Sequence, residues 1–139
     1  MILLDTSGLL AALFVDQRRH AECARVFTEA EGPLVLSSFV LAELDYLVAK
    51  LAGEAVEREL LAEVARGAYR LAEVDARDVE EARVVIERHG GLGVGLADAM
   101  TVVLSRRLGC LDVLTLDERH FRVLRGFKDR PFRVLPADP

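Results

Sequence analysis

The sequence predicts an α/β protein in which a central, mainly parallel sheet of about five short strands lies between two layers of helices. Short apolar runs rich in Leu and Val recur along the chain, and turn or cap residues bound each of them. Longer segments with helical periodicity separate these runs. Strands that are apolar along their whole length are buried on both faces, as in parallel sheets that helices cover on both sides.

The alternation gives each element a place in the chain. Strands are predicted at 2–4, 34–36, 70–74, 111–116 and 132–135. Helices are predicted at 7–14, 17–30, 38–52, 54–67, 76–89, 96–108 and 118–124. Ser37 or Ser38 can cap the third helix. Asp75 can cap the fifth helix, and Gly109 can end the sixth.

The length and composition are those of one aliphatic domain. The chain has 139 residues, of which 52% are hydrophobic, so we expect a single domain over residues 1–139. No apolar run has the roughly 18 to 20 residues that span a bilayer, and no signal peptide is recognisable. We therefore expect no membrane association and a cytoplasmic location. Cys23 and Cys110 lie outside any CxxC motif and are expected to be buried thiols.

Charge is unevenly distributed along the chain. The formal net charge is −5, which argues against a nucleic-acid coat with a broad basic face. Residues 1–100 contain 10 Lys and Arg against 18 Asp and Glu, a balance of −8, whereas residues 101–139 contain 8 against 5, a balance of +3. The basic excess is either ordinary solvated surface or a rim that guides phosphates beside an acidic centre.

Four acidic residues stand at the ends of predicted strands or early in predicted helices. Asp5 and Asp117 follow the first and fourth strands, and Glu43 and Asp98 lie near the starts of the third and sixth helices. Each alone has a structural interpretation, as a helix cap, a first-turn acid favoured by the helix dipole or an exposed side chain. Together they occupy positions that a parallel sheet brings to one edge, where ligands collect.

Such a group of carboxylates indicates a divalent metal ion. Converging carboxylates raise one another's pKa unless a cation offsets their charge, and hard oxygen ligands suit Mg²⁺ or Mn²⁺. None of His20, His89 and His120 belongs to an HExxH motif or a spaced pair, so a zinc hydrolase is not expected. Asp45 lies two residues from Glu43, on a different helix face, and is left outside the predicted site.

The glycine-rich run at 90–95 suggests a nucleotide cradle only superficially. It follows a helix, and Leu96 occupies the position of the last glycine of the dinucleotide fingerprint. We interpret it as a flexible entry to the helix that carries Asp98, with close approach of a substrate backbone as an open second role.

Several short strings carry a resemblance to a known family. They span nearly the whole chain: Leu4-Asp5-Thr6-Ser7, Ala42-Glu43-Leu44, Leu96-Ala97-Asp98-Ala99, and Leu114-Thr115-Leu116-Asp117 with Arg119-His120-Phe121. In this order, and with this alternation of strands and helices, the sequence resembles VapC-like PIN domains. The resemblance implies a PIN-like three-layer α/β/α fold and a metal-dependent ribonuclease that is the toxin of a VapBC-type toxin–antitoxin pair.

The resemblance also implies roles for individual residues. An acidic quartet is expected to hold Mg²⁺ or Mn²⁺ with two hydroxyls in support: Asp5, Glu43, Asp98 and Asp117, with Thr6 and Thr115. Asp5 and Asp98 are expected to be the principal ligands, and Asp117 a further ligand or a water-mediated partner. Glu43 is expected to be a ligand or to orient the attacking water. Water attacking phosphorus leaves a 5′-phosphate and a 3′-hydroxyl, the products of this family.

Partners follow from the same resemblance. We expect RNA as substrate, a cognate antitoxin protein and a homodimer.

Arg119 and Arg122, which follow Asp117 closely, are expected to contact the RNA backbone. Some apolar residues of the early helices either line a groove for an antitoxin helix or a self-association patch, or are all core. These residues are Leu9, Leu10, Leu13, Phe14, Leu41, Leu44, Leu47 and Val48.

Competing interpretations of the acids make specific demands on the sequence. A haloacid-type phosphohydrolase needs Asp-x-Asp at its first strand, but Ser7 stands at the position of the second Asp. A response-regulator receiver needs an early acid pair and a late lysine at a strand end, but the only lysines are Lys50 and Lys128. Two alternatives remain open: a PIN-domain nuclease of RNA processing or decay without an antitoxin, and a PIN-like module that binds without catalysis.

Overall fold

Five parallel strands form one sheet in the computed structural model, which describes all 139 residues. The strands are β1 (Ile2–Leu4), β2 (Leu34–Ser37), β3 (Arg70–Ala72), β4 (Asp112–Leu114) and β5 (Arg133–Leu135). Their order across the sheet is β3-β2-β1-β4-β5, and every neighbouring pair is parallel. The predicted sheet of about five strands is confirmed, and it is parallel throughout rather than mainly parallel.

Helices fill the connections between the strands. They are α1 (Thr6–Leu13), α2 (His20–Glu29), α3 (Ser38–Ala52), α4 (Glu54–Ala65), α5 (Ala76–Arg88), α6 (Leu96–Leu108) and α7 (Glu118–Phe121), with a short 3₁₀ turn at Phe127–Asp129 that was not predicted. The predicted strands at 70–74 and 111–116 exceed the paired residues by one or two at an end. An apolar run reports burial rather than hydrogen bonding, so it overestimates the length of a strand. None of the helices is long and apolar enough to cross a membrane.

The sheet separates two hydrophobic cores, which gives the three-layer architecture. Leu3 of β1 packs into the core formed with α5 and α6, whereas its neighbours Ile2 and Leu4 pack into the core formed with α1 to α4. Successive strand residues point to opposite faces of a sheet, so a continuous apolar strand is needed to supply both cores. Cys23 and Cys110 are both buried free thiols, as predicted.

The predicted helix ends are confirmed by their hydrogen bonds. The Ser37 hydroxyl accepts a hydrogen bond from the backbone N–H of Val40, at 3.1 Å, and so caps α3. Asp75 and Asp78 form a reciprocal capping box at the start of α5. Gly109 ends α6 in the left-handed conformation, with φ 68°.

Gly8 allows α1 to approach β4 very closely. A β-carbon at this position would overlap the backbone carbonyl of Leu114 and the backbone nitrogen of Thr115. The first turn of α1 therefore lies directly against the end of β4. This contact brings the residues that follow β1 next to those that follow β4, at the carboxyl edge of the sheet.

Candidate metal centre

The centre begins where β1 and β4 end. These strands are hydrogen-bonded neighbours at the middle of the sheet. Asp5 follows β1 directly, and its backbone N–H donates to the carbonyl of Leu114 at 3.1 Å. Asp117 follows β4 by three residues. The helices that continue from these two strands leave the edge between them open, as at ligand sites of other parallel sheets.

Asp5 is a buried carboxylate held by hydroxyl groups. It is only 5% exposed, and its Oδ2 accepts hydrogen bonds from Thr115 Oγ1 at 2.6 Å and Ser7 Oγ at 2.8 Å. Burial raises the pKa of Asp5, the two hydroxyls oppose the rise, and the charge of Asp117 adds to it. Although Asp5 occupies the N-cap position of α1, its side chain makes no capping hydrogen bond. The cap interpretation does not account for this residue.

Ser7 and Thr115 connect Asp5 to the end of β4. Thr115 Oγ1 accepts from the backbone N–H of Asp117 at 2.9 Å, and Ser7 Oγ accepts from that of Leu116 at 3.0 Å. The two hydroxyl oxygens are 3.2 Å apart. Sequence reasoning singled out Thr115 as a supporting hydroxyl but missed Ser7. The available signal was the position of Ser7, two residues after Asp5 and in the first turn of a helix.

Asp98 faces the same space from the first turn of α6. Its side chain is 16% exposed. Burial raises its pKa to about 6, with a further rise from the charges of Asp5 and Asp117 and a partial offset by His120. The charges of neighbouring acids therefore raise the pKa of both Asp5 and Asp98, as the sequence predicted for converging acids.

Asp117 has both a structural and a site contact. Its Oδ1 accepts from the backbone N–H of His120 at 3.0 Å and so caps the short helix α7. Its Oδ2 lies 2.9 Å from the Nδ1 atom of His120. The expected helix cap is confirmed for one oxygen, while the other oxygen faces the acidic centre.

Glu43 joins the centre through a hydroxyl rather than by direct contact. It is exposed on α3, and its Oε2 accepts from Thr6 Oγ1 at 3.0 Å. Because Thr6 follows Asp5 in the chain, this bond ties the third helix to the end of β1. The structure thus ties Glu43 to the residue next to Asp5 and leaves its side chain exposed.

His120 lies between two of the acids and was not predicted. Its Nδ1 is 2.7 Å from Oδ2 of Asp98, and its Nε2 is 3.1 Å from the carbonyl oxygen of Leu92. Burial lowers the pKa of His120, but the contacts with Asp98 and Asp117 outweigh this effect and raise it overall. The signal in the sequence was its spacing of three residues from Asp117, which puts both on one face of a helical turn.

The two arginines expected to bind RNA have different surroundings. The guanidinium of Arg122 donates to both carboxylate oxygens of Asp138, at 2.8 and 2.9 Å, and also to Glu118. Its charge is therefore balanced within the chain. Arg119 is exposed on the same short helix and forms no salt bridge. Arg119 is the one whose positive charge is free to meet a phosphate.

The acidic group lacks the counter-charge that a structural role would require. No lysine or arginine forms a salt bridge with Asp5, Glu43, Asp98 or Asp117, and His120 is the only basic partner. Buried carboxylates without such partners are costly. A set of carboxylate oxygens at the carboxyl edge of the sheet, with the pKa of Asp98 near 6, fits a divalent cation. The larger surface cavities, of about 400 and 390 Å³, contain none of these acids.

A parallel α/β sheet with an acidic edge is the architecture of metal-dependent nucleases and phosphatases. Comparison of the sequence with known families distinguishes between these two classes. The family model of the PIN domain matches residues 2–126. Ribonuclease VapC26 of Mycobacterium tuberculosis is 38% identical over 135 residues, which cover 97% of this chain and 100% of that protein. The chain therefore belongs to the PIN domain family, and within it to the VapC-like ribonucleases.

Solved structures show the same fold. The crystal structure of VapC20 of Mycobacterium tuberculosis, described as a sarcin–ricin loop cleaving toxin, has a TM-score of 0.78 and 23% identity, covering 84% of this chain and 90% of that one. FitAcB of Neisseria gonorrhoeae has a TM-score of 0.51 and 20% identity, covering 78% and 83%. Both comparisons support the three-layer architecture described above.

Proposed function

We propose that this ribonuclease hydrolyses RNA with a divalent ion, Mg²⁺ or Mn²⁺, held by Asp5, Asp98, Asp117 and Glu43, and that it is the toxin of a VapBC-type pair. The observation that carries the metal assignment is the convergence of acids, of which Asp5 is buried and Asp98 largely buried, without a lysine or arginine partner. When bound, the ion lowers the pKa of the attacking water and offsets charge on the phosphate. The roles of the individual residues follow from where each side chain lies.

Asp5 and Asp98 are the principal ligands in this proposal. Both are largely buried, and burial raises the pKa of each carboxyl, so both gain most from a nearby cation. Ser7 and Thr115 both donate to Oδ2 of Asp5 and fix it in place, so the other carboxylate oxygen, Oδ1, is available to the ion. Asp117 is 32% exposed, which suits a further ligand or a water-mediated partner.

Glu43 and Arg119 act on the solvent side of the centre. Glu43 is exposed and is positioned by Thr6, so it can accept a proton from the attacking water or hold that water in line with the phosphorus. Arg119 has a free guanidinium that can bind a backbone phosphate of the RNA. Arg122 would have to exchange Asp138 for a phosphate before it could do the same.

The proposal predicts that Asp5→Asn abolishes cleavage without unfolding the chain. The amide oxygen of Asn can still accept from Ser7 or Thr115, while the ligand charge is lost. We expect the cleavage rate with Mn²⁺ to fall about a hundredfold or more. In EDTA, the melting temperature should be unchanged or higher than in the wild type, because a buried charge has been removed. Asp16→Asn, at an exposed acid of the loop before α2, is the matched control.

Two results would contradict this assignment. Full RNase activity in excess EDTA, with contaminating nuclease excluded by the Asp5→Asn preparation, would show that no metal ion is needed. Global unfolding of Asp5→Asn in the absence of metal would show that the carboxylate is structural.

A groove between α1 and α4 is the proposed binding site for an antitoxin segment. Of the eight apolar residues predicted to line a groove or core, four are buried and four are half-buried. The buried ones are Leu9, Leu10, Leu44 and Val48, and the half-buried ones are Leu13, Phe14, Leu41 and Leu47. Leu13 and Phe14 line a cavity of about 140 Å³ together with Val56, Leu60 and two glutamates, Glu59 and Glu63. Apolar walls with an acidic rim favour an amphipathic segment that carries basic residues.

Further features of the organisation are part of the proposal. The family model ends at residue 126, but β5 at Arg133–Leu135 pairs with β4, so we extend the PIN domain over residues 1–139. We place its action in the cytoplasm, where RNA is available, and propose that the chain forms a homodimer, with sedimentation velocity as the test. Tyr46 and Leu51 of α3, 64% and 61% exposed, are candidates for that interface.

A further inference from the structure

His120 is the basic side chain that contacts the acidic centre. Its Nδ1 lies 2.7 Å from Oδ2 of Asp98 and 2.9 Å from Oδ2 of Asp117. We propose that this nitrogen is itself a ligand of the divalent ion, so that the centre binds through nitrogen as well as oxygen and prefers Mn²⁺ to Mg²⁺. The inference rests on the metal centre proposed above and adds a ligand that the four carboxylates do not include.

Hydrogen bonding determines which ring nitrogen faces the acids. Nε2 lies 3.1 Å from the carbonyl oxygen of Leu92. A carbonyl oxygen only accepts hydrogen bonds, so Nε2 carries a proton and donates it. Histidines that bind metals usually hold their second ring N–H on a carbonyl or carboxylate in this way, which aims the other nitrogen at the ion. In this chain the aimed nitrogen is Nδ1, and it points between two carboxylates. Without metal, Nδ1 also carries a proton, which it donates to these carboxylates, and an ion that binds Nδ1 displaces this proton to solvent.

The loop between α5 and α6 fixes the carbonyl that orients the ring. The backbone N–H of Leu92 donates to the carbonyl of His89 at 3.0 Å, and the Leu92 side chain packs against the core. Gly91 and Gly93, on either side, have φ values of 87° and 76°, a conformation that favours glycine. The glycine-rich run thus presents the Leu92 carbonyl to His120, a role that the sequence analysis did not predict.

The spacing of the donor atoms suits a single ion. The ligand atoms of Asp98, Asp117 and His120 lie within 4.8 Å of one another. Neighbouring ligands of an octahedral ion at about 2.1 Å are about 3.0 Å apart, close to the separations measured from Nδ1. Asp117 is also fixed to the same helical turn as His120, because its Oδ1 accepts from the backbone N–H of His120. The two side chains therefore form a preorganised pair.

A nitrogen ligand changes which ions the centre favours. Mg²⁺ prefers oxygen ligands and gives up its waters reluctantly, whereas imidazole is a common ligand of transition-metal ions. Binding through Nδ1 in place of a water oxygen therefore favours Mn²⁺ over Mg²⁺. The His120 side chain is 13% exposed, so the ring has little room to turn away from the ion.

Pulsed EPR of Mn²⁺ bound to the full chain tests this ligand directly. We expect ¹⁴N modulation in the wild type, and its replacement by the ¹⁵N pattern when all histidines carry ¹⁵N. His120→Ala should lose the modulation and bind Mn²⁺ at least about tenfold more weakly, with a smaller loss for Mg²⁺ measured by competition. His20→Ala is the matched control, because His20 is also half-buried and its Nδ1 contacts a backbone carbonyl, that of Ala11.

The outcomes separate this inference from the metal centre on which it rests. Mn²⁺ that binds the wild type without nitrogen modulation overturns the His120 assignment alone. Modulation that persists in His120→Ala overturns it as well. If Mn²⁺ does not bind the wild type at all, the carboxylate centre itself is overturned, and the His120 assignment with it. The isotope experiment uses the wild-type chain, so its result does not depend on the folding of His120→Ala.

Discussion

Asp98 is the residue at which folding and the proposed metal binding make opposite demands. Its carboxyl is largely buried, two other acids act on it, and its nearest basic group is the imidazole of His120. In a chain without metal, these surroundings favour the protonated form of Asp98. In the proposed metal-bound chain, the same surroundings favour the ion. The proposal therefore implies that metal binding and proton binding compete at Asp98.

The first prediction concerns the pH dependence of stability without metal. The pKa of Asp98 is about 6 in the folded chain, raised from 3.8. A carboxyl with a raised pKa stabilises the fold below its unfolded pKa, and this contribution is lost as the pH rises through the folded pKa. We expect Asp98 to contribute roughly 3 kcal/mol less to the free energy of unfolding at about pH 7 than at about pH 3.5.

Urea unfolding in EDTA measures this effect by difference. The free energy of unfolding of Asp98→Asn minus that of the wild type should increase as the pH rises from about 4 to about 7. Asp16→Asn should show no such trend. Saturating Mn²⁺ should reverse the order of stability, because only the wild type keeps the ligand. A difference that stays constant with pH would mean that Asp98 titrates as an ordinary surface acid.

The sequence predicted which residues belong to the acidic centre better than it predicted what their side chains contact. Asp5, Asp98 and Asp117 do approach one another, because strand ends and helix starts are positions that the topology brings together. The cap at Asp117 was also predicted, yet one carboxylate serves both the cap and the centre. His120 and Ser7 were missed because their spacing from Asp117 and Asp5 does not show which side chains they contact. Only the folded chain brings the His120 ring to Asp98, 22 positions away.

Among the elements, α1 illustrates the role of close packing. Gly8 lets its first turn rest on the end of β4, and Ser7 and Thr115 then meet across this contact. The hydroxyls that hold Asp5 therefore depend on a glycine with no chemical function. A strand-to-helix connection of one residue, Asp5, leaves α1 little room to adjust its position.

The second prediction follows from that contact. Gly8→Ala should lower the free energy of unfolding by about 1 to 3 kcal/mol, because the added methyl group forces α1 away from β4. It should also lower the cleavage rate, since Ser7 and Thr115 move apart. Gly90→Ala is the control, because its nearest new contact would be ordinary, 3.5 Å from the Glu87 carbonyl oxygen. Denaturant melts and single-turnover assays measure both effects, and equal stability of the two variants would contradict the packing argument.

The third prediction concerns α7 as a binding element. Arg119→Gln should raise KM for RNA and reduce the slope of log affinity against log salt by about 0.7, the change for one phosphate contact with a single strand. Single-turnover cleavage at saturating RNA should change little. Arg122→Gln should instead lower the melting temperature, because Arg122 ties α7 to Asp138. Arg66→Gln, an exposed arginine at the end of α4, is the control.

An unchanged KM and salt slope in Arg119→Gln would move the RNA path away from α7. The balance of +3 over residues 101–139 would then be ordinary surface charge, an interpretation that the sequence left open. Arg122 already shows how far a charge count can mislead. A count of charges treats Arg122 as available to bind RNA, but in the folded chain Arg122 forms salt bridges with two carboxylates.

At the level of the whole molecule, the two proposed functional surfaces are separate. The acidic centre lies at the carboxyl edge of the sheet, whereas the apolar groove lies between α1 and α4. Because α1 begins beside Asp5 and ends at Leu13 in the groove, this one helix connects both surfaces. A partner bound in the groove is therefore eight residues of helix away from the acids.

The fourth prediction tests the groove with the protein encoded in the adjacent upstream reading frame. Val56→Asp places a charge on the groove wall and should weaken binding of that partner at least about tenfold, since a buried unpaired charge is costly. RNase activity of the isolated chain should remain. Leu61→Asp, on an exposed part of α4, is the control. Equal partner affinity of Val56→Asp and wild type, measured by calorimetry, would exclude the groove as the docking site.

The sequence by itself determined the elements, the layers and the acids of this protein. Apolar runs and helical periodicity are local properties, and a parallel sheet necessarily gathers its strand ends at one edge. Only the tertiary structure decided which side chains meet. Asp5 and Thr115 are 110 positions apart, and their 2.6 Å contact depends on strand register and on the approach of α1 to β4. The same holds for His120, Arg122 and the groove, because contacts between distant segments are set by packing rather than by any local pattern.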